Sequence, residues 1–130
     1  MKMIRHSLLA LFALLGLGVR PGTAAEDSGR VAYRCDEVVV IGRVRTIKAT
    51  DVTGPGDLPG SSRYDMRVSI KRVLRGKEAR RLVPAHGVSH GQMREDVDFW
   101  LVLTPAPQGG YVIRTGNLAG GPFRLAPRCG

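Results

Sequence analysis

A small all-β domain, a five-stranded barrel or sandwich, is the fold class this sequence predicts. Three observations carry that expectation. Residues 63–71 alternate polar and apolar without a fault, with Tyr64, Met66, Val68 and Ile70 on one side and Arg63, Asp65, Arg67, Ser69 and Lys71 on the other. That is the pattern of a half-buried strand with one wet face. Val38-Val39-Val40-Ile41 is apolar and β-branched at every position, which suits a strand covered on both faces. No stretch downstream carries a convincing 3.6-residue period, so at most one short helix is expected.

The first 25 residues read as an export signal. Lys2 and Arg5 precede an uncharged run of 12 residues, 8–19, and Thr23-Ala24-Ala25 offers a cleavage site after Ala25. A spanning helix needs about 20 apolar residues, so the run is short for one, and an uncleaved anchor is the only membrane attachment expected. Removal of the signal leaves 105 of the 130 residues, enough for one core, and takes three basic residues with it, lowering the net charge from +9 to +6. Arginine supplies 14 of the remaining 17 basic side chains. Cleavage near Ala25 implies a periplasmic or extracellular protein. In that setting an even cysteine count predicts a disulfide between Cys35 and Cys129, with two reduced thiols as the alternative.

Taken in order, residues 26–34 are polar and are expected to form an exposed arm. The first strand begins near Val38. Gly42 interrupts it, and Val44 and Ile47 break strict alternation, so a glycine kink or β-bulge is expected. Residues 49–62, with Gly54-Pro55-Gly56 and Pro59-Gly60, read as a long surface loop. The alternating strand follows and closes at Val73-Leu74-Arg75-Gly76. A short strand over 80–85 comes next, with Pro84 at an edge or strand end because it cannot donate to a ladder. Residues 86–96 are irregular, with one helical turn expected over 92–96. Phe99, Leu101 and Leu103 share one face of the next strand, and Trp100 and Val102 share the other. A turn over 105–110 leads to a hairpin partner beginning Tyr111-Val112-Ile113-Arg114. Residues 116–121 read as loop. Phe123 and Leu125, two apart, can pack the tail down before Cys129.

Cys35, the 38–44 run, the strand ending Val73-Leu74-Arg75-Gly76, Asp98-Phe99-Trp100-Leu101-Val102-Leu103, Tyr111-Val112-Ile113 and Cys129 together resemble the netrin-like domain. This is the OB-type barrel of the tissue inhibitors of metalloproteinases, found also in exported bacterial proteins. The resemblance covers residues 35–129 and implies a five-stranded OB-type barrel acting as a binding or interaction module. Those inhibitors begin with a Cys-x-Cys pair whose amine and carbonyl chelate the target's zinc. Here Cys35 lies ten positions into the expected mature chain and position 37 is Glu37, so no inhibitory residue carries over.

Candidate chemistry is sparse. Lys71, Arg72, Arg75, Lys77, Arg80 and Arg81 place six cations in the eleven residues 71–81, at a turn between strands. A polyanion or other partner could meet them there. Aromatics fall at core-like positions and export removes intracellular nucleic acid, so the expected partner is a protein or an anionic envelope component. His86 and His90, with Glu95, Asp96 and Asp98, lack the spacing of a metal site, and no cofactor is implied. Ser89, His90 and Asp96 mix nucleophile, base and acid on one loop without a nucleophile elbow, and no enzymatic activity is expected. Asp36 and Glu37 read as acids that keep the strand entrance solvated. A monomeric binding module, with enzyme inhibition or polyanion binding through 71–81 as alternatives, is the functional expectation.

Overall fold

The computed structural model describes residues 29–56 and 59–130. The expected signal, and residues 26–28 of the expected arm, lie outside the described residues. Among the described residues seven strands run in chain order: β1 (Arg30–Val31), β2 (Val38–Asp51), β3 (Ser62–Arg75), β4 (Leu82–Ser89), β5 (Phe99–Pro105), β6 (Tyr111–Leu118) and β7 (Arg124–Leu125). Five of them close into a barrel in the order β2-β3-β4-β6-β5, with β4 and β6 parallel and the other pairs antiparallel. This closed five-stranded, all-β architecture is the predicted fold class, and its strand order is consistent with an OB-type barrel. β1 and β7 form a separate two-stranded parallel sheet.

Alternation along β3 does what its pattern implies. Met66, Val68 and Ile70 are buried, and they meet Val40, Val44, Val83, Leu101 and Leu103 in the barrel interior. The β-branched run of β2 is covered on both sides, as its composition requires. Val38 and Val40 face the interior, while Val39 joins Tyr33, Trp100 and Val102 in a second apolar cluster outside the barrel. Val31, Phe123 and Leu125 pack over that outer cluster, and Phe123 stacks on Trp100 with ring centroids 5.4 Å apart. Val39 and Val102 have no exposed surface, and each such burial contributes roughly 1.5–3 kcal/mol. Within the expected arm, Arg30 and Val31 pair with β7 and Tyr33 is buried.

Register shifts between β2 and β3 fall at Val39/Val40, Ile41/Gly42 and Thr46/Lys48. A Cβ on Gly42 would lie 2.6 Å from the Ser69 carbonyl oxygen, so only glycine lets the two strands approach there. The second break in the sequence pattern has its own bulge: Ile47 is the extra residue and is 59% exposed.

Several expected boundaries move. The 49–62 loop shrinks to 52–61, because β2 and β3 keep pairing to Asp51↔Ser62 and the Val52 N–H donates to the Ser61 carbonyl. The strand expected over 80–85 runs Leu82–Ser89. Residues 116–118, read as loop, complete β6. The helical turn expected over 92–96 does not form: residues 92–94 are irregular and 95–97 bend. Its polar groups turn outward to β2, the Glu95 carboxylate accepting from the Thr46 N–H at 2.7 Å. Cys35 and Cys129 are joined as a disulfide.

Candidate binding face

The antiparallel register of β2, β3 and β4 sets the outward side chains in rows. Arg43, Ser69 and Leu82 form one row, Arg45, Arg67 and Pro84 the next, then Lys48, Asp65 and His86, then Thr50, Arg63 and Val88. Because alternation sends Val44, Val68 and Val83 inward, the basic residues between them must point out. Lys71 joins the first row from the bulge opposite Gly42. The face therefore gathers Arg43, Arg45, Lys48, Arg63, Arg67 and Lys71 against the carboxylates of Asp65, Glu95 and Asp98.

These charges are not equally satisfied. Asp98 accepts from Arg43 Nε at 3.0 Å and from Lys71 Nζ at 2.7 Å. The Lys71 ammonium lowers the Asp98 carboxyl below its ordinary range, against a smaller opposing effect of burial, and Arg43 adds to the lowering. Arg63 reaches Asp65 at 3.3 Å. Arg45 and Arg67 are direct cross-strand partners, and among the described residues neither guanidinium bonds to any acid or carbonyl. Like charges facing each other across a ladder are destabilising, so the pair is a local cost that an anion would relieve. A groove of about 470 Å³ opens over them, lined also by Ser69, Leu82 and Glu95.

A wider groove of about 910 Å³ lies beside the 119–122 turn, with Trp100 and Leu118 in its wall. Its one charged group, Asp98, is already paired with Arg43 and Lys71, which leaves the Asn117 amide as the other polar side chain in its lining.

The cations of 71–81 do not share one environment. Lys71 belongs to the face just described. Arg72 and Arg75 sit opposite Ile41 and Val39, beside the outer apolar cluster, and Arg75 donates to the Leu74 carbonyl at 2.8 Å. Arg80 is held by Glu78 at 2.6 Å, and the Tyr111 hydroxyl donates to the same carboxylate. Arg80 and then Tyr111 hold Glu78 at a pKa of about 2. Among the described residues, Arg72, Lys77 and Arg81 make no ion pair. The spacing of cations along the sequence hid this division, which arises where the β3–β4 turn separates one end of the barrel from its side.

A buried carboxylate lies elsewhere and corrects an expectation. Glu37 does not solvate the strand entrance: its side chain is 0% exposed. Arg114 holds it with two bonds, Nε to Oε1 at 2.6 Å and Nη2 to Oε2 at 3.0 Å. The Thr104 hydroxyl donates to Oε1 at 2.8 Å, and the Arg34 N–H donates to Oε2 at 2.7 Å. Burial pushes its pKa up, but these four donors outweigh burial and hold it at about 2. Arg114 also donates to the Ala32 carbonyl at 2.8 Å, tying β6 to the N-terminal segment. Asp36, by contrast, is exposed beside Arg34.

The remaining candidates stay apart. His86 faces out opposite Asp65, while His90 Nδ1 lies 3.4 Å from Ser61 Oγ. Among the described residues no group of three or more His, Cys, Asp or Glu could hold a metal. Ser89 donates its hydroxyl to the Gly91 carbonyl and Asp96 pairs with Arg94, so Ser89, His90 and Asp96 each bond elsewhere. Among the described residues no helix is long and apolar enough to cross a membrane. Comparison of the chain with protein-family models, with curated proteins and with solved structures returns no match.

Proposed function

We propose that this chain is an exported binding module of netrin-like OB type, and that it takes an anionic partner on the outward face of β2, β3 and β4. The observation that carries the reading is the Arg45–Arg67 pair, two facing residues of the ladder that share a groove with Glu95 and whose guanidinium groups make no ion pair among the described residues. Planar, always-charged guanidinium groups are suited to bidentate recognition of oxyanions. The reading as an exported netrin-like domain draws its support from the leader-like first 25 residues, the Cys35–Cys129 bridge and the closed strand order. Inhibition through a Cys-x-Cys terminus has no support, since position 37 is a buried carboxylate.

Chromatography on heparin-agarose tests the face. The wild-type protein is expected to elute well above physiological ionic strength, and the double variant Arg45→Ala/Arg67→Ala at distinctly lower salt. The triple variant Arg72→Ala/Lys77→Ala/Arg81→Ala removes one more charge but leaves the face intact, and is expected to shift elution less. Low-salt elution of the wild type would sink the proposal. A larger shift from the triple variant would return the binding role to residues 71–81.

A further inference from the structure

We propose that the partner on this face is an extended protein segment in which carboxylates alternate with apolar side chains, a proposal that rests on the reading of the β2–β3–β4 face as the partner surface. The open arginine pair is bracketed by exposed apolar groups. Leu82, 52% exposed, lines the same groove as Arg45 and Arg67. On the other side, Ile47 and Pro84 border a depression of about 250 Å³ together with Arg67. A uniformly hydrophilic polyanion would satisfy the arginines and leave Leu82 and Ile47 uncovered. An acidic and apolar segment satisfies both, and removing the apolar groups from water adds to affinity.

The chain's own residues show how carboxylates sit here. Glu95 takes the Thr46 backbone N–H at 2.7 Å, and Asp98, three residues on, takes Arg43 and Lys71. A non-helical acidic stretch thus already crosses β2 beside the open pair, using one backbone donor and two side-chain cations. The facing arginines, whose Cα atoms lie about 5 Å apart as ladder partners do, offer the next position for a carboxylate. Among the described residues the face presents no Phe, Tyr or Trp for bases and sugar rings to stack on. Tyr64 occupies an inward position of β3 and packs against the interior cluster, and Trp100 is buried beneath the tail.

Fluorescence anisotropy with three labelled probes tests this: a short synthetic peptide of alternating Glu and Leu, the same peptide with Ser for every Leu, and a heparin-derived oligosaccharide. The Glu/Leu peptide is expected to bind about tenfold more tightly than either other probe. Arg45→Ala/Arg67→Ala should weaken it by about tenfold or more, and Leu82→Ser should reduce it to the level of the Ser control. Because these side chains are exposed, the variants remove no core packing. Equal binding of the Ser control, or tighter binding of the oligosaccharide with loss in the arginine variant, overturns the acidic-apolar partner and leaves an anion-binding face. Indifference of all three probes to the arginine variant overturns both.

Discussion

Glu37, at the entrance to β2, is a buried charge satisfied by four donors. Removing one partner of such a pair is costly because the other charge is left without compensation. Arg114→Ala is therefore expected to lose about 3 kcal/mol at neutral pH. Glu37→Gln is expected to lose less, since the exposed side of Arg114 can take water. The pH dependence follows from the lowered pKa. Glu37 titrates near 4.5 when unfolded and at about 2 when folded, so its contribution is complete above 4.5 and fades as pH falls toward 2. In Arg114→Ala the carboxyl can protonate more readily, so the stability gap to wild type should narrow between pH 7 and pH 4. Urea denaturation at both pH values measures it, and a gap of constant size would refute the assignment. None of this was legible in the sequence. The Thr104 and Arg114 partners lie 67 and 77 positions away, and a glutamate beside an exposed aspartate carries no local sign of burial.

At the level of the strand, periodicity was legible wherever apolar residues contrast with polar ones. Residues 63–71 show this, and the break at Gly42 announced a real irregularity. Gly42→Ala is expected to cost about 1–3 kcal/mol, because its Cβ must displace the Ser69 carbonyl or the strand. Gly91→Ala meets nothing within 4 Å and should stay within about 0.5 kcal/mol of wild type. Thermal unfolding of the two variants side by side checks the contrast, and equal effects would mean that the bulge does not depend on glycine. Boundaries were less legible where glycine stands for close packing rather than for a turn. At Gly116 a Cβ would lie 2.7 Å from both the Trp100 carbonyl oxygen and Leu101 Cδ2, so the residue that suggested a loop is required inside β6. The arginine pair was hidden for a related reason. Arg45 and Arg67 lie in separate strands, and only the register held between the Ile41/Gly42 and Thr46/Lys48 shifts sets them face to face.

In the whole molecule, β5 separates two apolar clusters, one inside the barrel and one beneath the tail, and the Cys35–Cys129 bridge holds the outer one closed. The bridge spans 94 positions, a closure that contributes roughly 4–5 kcal/mol in the chain-entropy view. Cys35→Ser/Cys129→Ser is expected to lower stability by about 2–5 kcal/mol and to red-shift Trp100 emission as Phe123 lifts away. Unchanged emission and midpoint would show that β1, β7 and the Arg114 contacts suffice to hold the tail. The cysteine count made this bridge readable, whereas the strand order could be reached only through resemblance, since no local pattern says which strands become neighbours. The same bridge also shapes how the molecule bears a load. All five barrel strands lie between the two cysteines in sequence, so tension applied between the described ends, Gly29 and Gly130, travels through residues 29–35, across the sulfur–sulfur bond and out at Gly130. The barrel hangs outside the line of force. While the bridge is intact, pulling can strip β1 from β7 but cannot draw out a barrel strand.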